Sequence, residues 1–134
     1  MKANVKWIQE MQLMGTSETG HGILMDGDRN GIAASPMEVV LMGMGACSSI
    51  DVVDILKTGR QNIQGCEVNL TSERAPEPPR VFTKINAHFI VSGSDLNDKK
   101  VKRAVELSME KYCSVAKMLE KAADVTSSYE IVAQ

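Results

Sequence analysis

The stretch that decides the fold runs SPMEVVLMGMGACSSIDVVDILKTG, residues 35–59. It opens with the signals of a helix start. Ser35 offers a capping hydroxyl, Pro36 fits the first helical position, and Glu38 follows three residues after Ser35, as in a capping box. It closes on Thr58-Gly59, so the pattern predicts a helix to about Lys57. Its first half, Val39 to Cys47, is apolar all round, which calls for packing on several sides. The uncharged run between Glu38 and Asp51 has twelve residues, short of the roughly 20 a membrane span needs. A core helix is therefore expected, and no membrane partner. Gly43 and Gly45 each cost about 1 kcal/mol of helix propensity relative to Ala; their expected use is to let another backbone or helix come close.

Upstream of this helix, Val5, Trp7, Met11 and Leu13 share one parity and read as a first strand. Gly15 to Gly22 reads as a turn and Ile23 to Met25 as a returning strand. Asp26 to Ala34 is rich in turn residues and reads as a loop. Downstream, Cys66 to Glu73 predicts a strand with Cys66, Val68 and Leu70 on one face. After the proline-stiffened Ala75 to Arg80, Val81 to Val91 alternates, with Val81, Ile85, Ala87, Phe89 and Val91 inward and Lys84, Asn86 and His88 outward. Ser94 or Asp95 is placed to cap a second helix, in which Val101, Val105, Met109 and Cys113 fall at i, i+4 spacing. A shorter helix over Val115 to Ala123 and a strand over Val125 to Val132 close the chain.

The order β-β-α-β-β-α-α-β is an α+β pattern, with one domain expected over residues 1–134. One thin sheet covers only one side of an apolar helix. A homodimer with the first helix of each chain at its centre is the simplest remedy.

Composition narrows the function classes. The chain has 134 residues, 43% hydrophobic and 24% charged, which suits a single-core globular subunit. A net charge of −2 leaves no global footprint for nucleic acid. The basic run Lys99 to Arg103 occupies early turns of an amphipathic helix and reads as a solvated face. Met1 to Glu10 carries Lys2, Lys6 and Glu10 with no apolar run, so a cytoplasmic protein is expected. Cysteines in that compartment are more often reduced or reactive than bridged. Nine methionines against two Phe, two Tyr and one Trp describe an adaptable interior.

Three cysteines carry the candidate chemistry. Cys47, between Ala46 and Ser48 in the apolar helix, reads equally as a small core residue or a reactive thiol. Cys113 admits the same two readings, tilted towards the reactive one because a helix junction exposes backbone N–H groups that favour a thiolate. Cys66 continues the core face of its strand and reads as structural. His21 and His88 sit in a turn and on a polar strand face. No spacing joins them to Cys or carboxylates in a ligand pattern, so neither a metal nor another cofactor is expected.

Two segments, taken together, resemble a known family. Ser35-Pro-Met-Glu-Val-Val-Leu-Met-Gly-Met-Gly-Ala-Cys47, continuing Ser-Ser-Ile-Asp-Val-Val-Asp-Ile-Leu56, is similar to the cysteine helix of the osmotically inducible protein C and organic hydroperoxide resistance family (OsmC/Ohr). Tyr112-Cys-Ser-Val-Ala-Lys-Met-Leu119 resembles its second cysteine segment, and Arg80-Val-Phe-Thr-Lys-Ile85 the strand before the second helix. Pro-Met-Glu ahead of the first cysteine and Ile-Asp-Val-Val after it resemble a divergent OsmC-like branch.

The resemblance implies an intertwined homodimer, its central helices wrapped by antiparallel sheets from both chains. It also implies a thiol-dependent peroxidase acting on small apolar organic hydroperoxides. Cys47 would be the peroxidatic thiol, passing through a sulfenic acid, and Cys113 the resolving thiol that closes a Cys47–Cys113 disulfide. A dithiol reductant, lipoyl-type or other, would reopen it. An arginine upstream of the helix stabilises the thiolate in the family; Arg29 is the upstream arginine here. Typical members place a carboxylate ten residues before the first cysteine, where this chain has Met37. Glu38 stands nine before, half a turn out of phase and about 13.5 Å away along the axis, so it would act through an intermediary or across the dimer. Ser114 stands where Pro is usual. The alternative is a non-enzymatic thiol protein that senses oxidants or binds a small apolar ligand.

Overall fold

The computed structural model describes Met1–Gln134 as a mixed α+β chain dividing into two compact units, Met1–Leu41 and Met42–Gln134. The first unit holds three antiparallel strands in the order β1-β2-β3: β1 (Ala3–Gln9), β2 (Gln12–Ser17) and β3 (Gly22–Asp26). This is one strand more than the alternation suggests. The chain reverses at Glu10-Met11, where Glu10 takes φ 50° and its carbonyl accepts the Trp7 indole N–H at 2.7 Å. Trp7 pairs with Leu13 and Val5 with Gly15. Paired residues across this hairpin share parity, so an alternating count reads the same for one strand as for two. The following turn shrinks accordingly: β2 runs on to Ser17, leaving Glu18 to His21 as its reversal.

The loop after β3 is built on a buried carboxylate. Asp26 accepts the N–H of Asp28 at 2.8 Å and of Ile32 at 3.1 Å. A Cβ at Gly31 would run into that carboxylate, which explains the glycine. The chain then enters α1 (Pro36–Thr58). Here the capping box forms as expected: the Glu38 N–H donates to Ser35 Oγ at 3.2 Å, and the Ser35 N–H donates to Glu38 Oε1 at 3.0 Å.

The second unit takes up most of α1. It continues through β4 (Asn62–Arg74), β5 (Phe82–Ser94), α2 (Asp98–Leu107), a wide π-helical turn at Ser108–Tyr112, α3 (Ser114–Leu119) and β6 (Asp124–Ala133). The sheet order is β4-β5-β6. β4 and β5 are antiparallel, whereas β6 runs parallel to β5, so this sheet is mixed rather than antiparallel throughout. A parallel neighbour needs a crossover, and α2 with α3 supplies it.

The core gathers Ile85, Ala87, Phe89 and Val91 of β5, Val101, Ala104 and Val105 of α2, and Met44, Val52 and Leu56 of α1. Val81 departs from the expected inward set. It lies exposed before β5, and Phe82 turns inward in its place, because the β4–β5 register slips by one residue at Glu73/Arg74. The cap of α2 is Asn97, whose side chain accepts the Lys100 N–H at 3.1 Å. Ser94 still belongs to β5 and Asp95 has φ 52°, so neither stands at the cap.

α1 buries one stripe, Met44, Ser48, Val52 and Leu56, while Met42 and Ile50 stand exposed on other sides. A single chain thus leaves part of the apolar circumference uncovered. The helix has 23 residues with a mean hydropathy of 1.8 over eighteen of them, long and apolar enough by itself to cross a membrane. A core helix meets the same description. Of its two central glycines, Gly45 admits β4: a Cβ there would stand 2.6 Å from Leu70 Cδ1 and 3.1 Å from Val68 Cγ1. At Gly43 nothing lies within 4 Å.

Candidate redox site

Cys47 sits half-buried on α1, one residue before the buried Ser48. Cys113 arrives from the other side. The α-helical ladder of α2 widens over Ser108–Tyr112, and the Cys113 N–H closes that wider turn on the Ser108 carbonyl at 2.7 Å. Such π turns insert an extra residue per turn and recur at functional sites. Cys113 leaves the helix with φ −71° and ψ 104° and caps α3, its Sγ accepting the Ala116 N–H at 3.4 Å. The thiol proton points to the Met44 carbonyl of α1 at 3.9 Å.

This geometry brings the two sulfurs together. Cys47 is near enough to Cys113 to bear on its thiol. Burial pushes the Cys113 thiol up, and the neighbouring Cys47 adds to the rise while the Ala116 N–H opposes it, leaving Cys113 at about 11. Cys113 is therefore a protonated thiol at neutral pH. All three cysteines are free.

Cys66 stands apart on β4, half-buried. Burial pushes its thiol up and the Ser49 hydroxyl beside it draws it down. It lines a cleft of about 400 Å³ with Ser49, Ile50, Val53, Asp54 and Lys57. A neighbouring cleft of about 410 Å³, lined by Asp51, Asp54, Ile55, Thr58 and Tyr112, adjoins the π turn.

Arg29 and Glu38 belong to the first unit. Arg29 lies exposed in the loop between β3 and α1. Glu38 lies exposed in the first turn of α1, where the Ser35 N–H and hydroxyl hold its carboxyl below the usual range. His88 is outward on β5, with Ser128 Oγ at 2.7 Å from its Nδ1 and Glu130 3.6 Å from its Nε2. It is part of a polar ladder on the sheet's outer face.

Residue reading missed the group that joins the two cysteine segments. The Ser108 side chain is fully buried, and its hydroxyl lies 3.0 Å from both the Ser48 carbonyl and Asp51 Oδ2. A signal existed. Ser108 is four residues beyond Ala104, on the apolar stripe of the second helix, where a polar residue demands a partner.

The family model described as OsmC-like protein matches residues 27–128. Protein YhfA of Escherichia coli K12 is 61% identical over 133 residues, covering 99% of each chain. Among solved structures, an OsmC-like protein from Mycoplasma pneumoniae superposes with a TM-score of 0.86 at 14% identity, covering 98% of this chain and 96% of that one. The organic hydroperoxide resistance protein OhrB of Bacillus subtilis superposes at 0.66 and 19% identity, covering 97% and 98%. At these identities the two structures speak to the fold alone.

Proposed function

The chain belongs to the OsmC-like family, and from that premise we propose that it is a thiol-dependent peroxidase that reduces organic hydroperoxides. The observation that carries this reading is the meeting of Cys47 and Cys113, two free thiols from distant segments. The family resemblance makes Cys47 the attacking sulfur, and a Cys113 thiol that keeps its proton suits the resolving role. The Cys47 thiolate attacks one oxygen of the O–O bond, the alkoxide departs and takes up a proton as the alcohol, and Cys47 becomes a sulfenic acid. The Cys113 sulfur then attacks the Cys47 sulfur. Hydroxide leaves and combines with the Cys113 proton as water, and the disulfide is formed. A small dithiol of the reducing cytoplasm reopens it by two exchange steps, ending as its own disulfide.

Arg29 and Glu38 complete the proposed machinery. Arg29 is the cation that favours the thiolate, and Glu38 is the carboxylate that acts through an intermediary or from a second protomer. A homodimer is part of the same reading, supported by the exposed Met42 and Ile50 on α1. Sedimentation at micromolar concentration should give twice the chain mass, and a stable monomer would count against it.

The test is thiol counting and intact mass after one equivalent of cumene hydroperoxide. Two of three thiols should vanish, with Cys47 and Cys113 bridged, and turnover should continue when a dithiol is supplied. Survival of all three thiols, or modification of Cys66, defeats the reading. A ligand-dependent melting shift without turnover would also defeat it, in favour of a sensing or binding protein.

A further inference from the structure

We infer that Ser108 and Asp51 form a clamp that positions Cys113 against Cys47 and so sets how readily the two thiols join. The inference rests on the pairing of those thiols proposed above. Ser108 reaches both segments through one residue. Its carbonyl accepts the Cys113 N–H at 2.7 Å, fixing the backbone from which Cys113 Sγ projects. Its hydroxyl, fully buried, lies 3.0 Å from the Ser48 carbonyl and 3.0 Å from Asp51 Oδ2. Ser48 directly follows Cys47, and Asp51 lies one helical turn beyond it.

A hydroxyl has one proton to donate, and a carboxylate is the stronger acceptor. The Asp51 bond is therefore the principal tie, and the Ser48 carbonyl, already satisfied within α1, is secondary. Through this tie the π turn that delivers Cys113 is fastened to the turn of α1 that carries Cys47. Hydrogen bonds to a charged group are the stronger kind, and this one is partly buried. Both residues are positioning residues, since they act through the two cysteines and not on a substrate.

Disulfide formation between two thiols is favoured by the effective concentration at which the fold presents them. Without the clamp, Cys113 is free to shift relative to α1, and that concentration falls. The measurable quantity is the thiol–disulfide equilibrium constant against dithiothreitol. Two protein thiols pass two electrons and two protons to the cyclic disulfide of oxidised dithiothreitol, giving the protein bridge and reduced dithiothreitol. Trapping the free thiols by alkylation and weighing the chain reads the balance.

Ser108→Ala and Asp51→Ala should each lower the constant about tenfold, which is about 30 mV for a two-electron couple. The double variant should lose little more than either single one, because both remove the same bond. Asp51→Asn, which keeps an acceptor oxygen, should recover part of the loss. Variants that melt earlier with an unchanged constant would overturn the inference, as would a wild type that forms no bridge in oxidised dithiothreitol. Where Ser108→Ala does not fold, Asp51→Ala, at the half-buried end of the bond, gives the same reading. Failure of the peroxidase reading is separate. It would show as a bridge formed with dithiothreitol and not with cumene hydroperoxide, and the clamp would stand.

Discussion

The two flanks of α1 offer the same residue types to different neighbours. Towards the π turn, Cys47 and Ser48 meet Cys113 and Ser108. Towards β4, Gly45 and Ser49 meet Val68, Leu70 and Cys66. Burial raises a thiol on each flank. On the first, a second sulfur stands within reach and a hydrogen-bonded network holds it there; on the second, the lone thiol has a serine hydroxyl and a cleft. Burial alone makes an inert cysteine. What separates the flanks is the neighbour of each thiol, a second sulfur on one and a serine hydroxyl on the other.

Single-thiol substitutions break the comparison most forcefully. Cys47→Ser should remove hydroperoxide turnover altogether, and Cys113→Ser should leave at most a single oxidation of Cys47 per chain. Cys66→Ser should stay within about twofold of the parent. Peroxide consumption with excess dithiol checks all three, and equal losses at Cys47 and Cys66 would erase the distinction between the flanks.

Alkali sharpens it next. The Cys113 thiol, ordinarily near 9, sits at about 11 in the fold. With the folded value above the unfolded one, the neutral thiol's contribution is intact below about pH 9 and is lost as pH rises through about 11. Denaturant unfolding should show a decline on the order of 2 kcal/mol across that window that Cys113→Ala removes. Cys66→Ala should change the decline less, since its burial is partial and offset by Ser49.

The smallest effects concern the glycines. Gly45→Ala pushes a methyl group into Leu70 and Val68 and should cost about 1 kcal/mol net, because overpacking outweighs the gain in helix propensity. Gly43→Ala meets no neighbour in the single chain and should raise stability by up to about 1 kcal/mol. A loss there, measured together with the sedimentation mass, would show that a second copy covers that face.

The parts legible in the sequence were those fixed by local chemistry. Ser35, Pro36 and Glu38 declared the start of α1, and the alternation from Ile85 to Val91 declared the inner face of β5, because caps and pleats are written in neighbouring residues. The hairpin at Glu10 was hidden because it preserves parity. The Asn97 cap lay beyond the point where Ser94 still belongs to a strand. The parallel pairing of β6 depends on contacts no local pattern records. The site divided in the same way. Cys47 and Cys113 stood out by resemblance, whereas Ser108 and Asp51 meet through one bond between distant segments. The π turn is invisible to an i, i+4 count that runs smoothly from Val101 to Cys113.

The parallel pairing of β6 with β5 also has a bearing on the order of assembly. β4 and β5 form a hairpin that can zip locally, but β6 docks only after the chain has laid down the whole crossover. Closing that longer loop costs more chain entropy than closing the hairpin. Cys113 lies inside the crossover, so its segment is anchored to the sheet at both ends once β6 pairs with β5. The parallel strand thereby bounds how far the Cys113 segment can travel from the sheet.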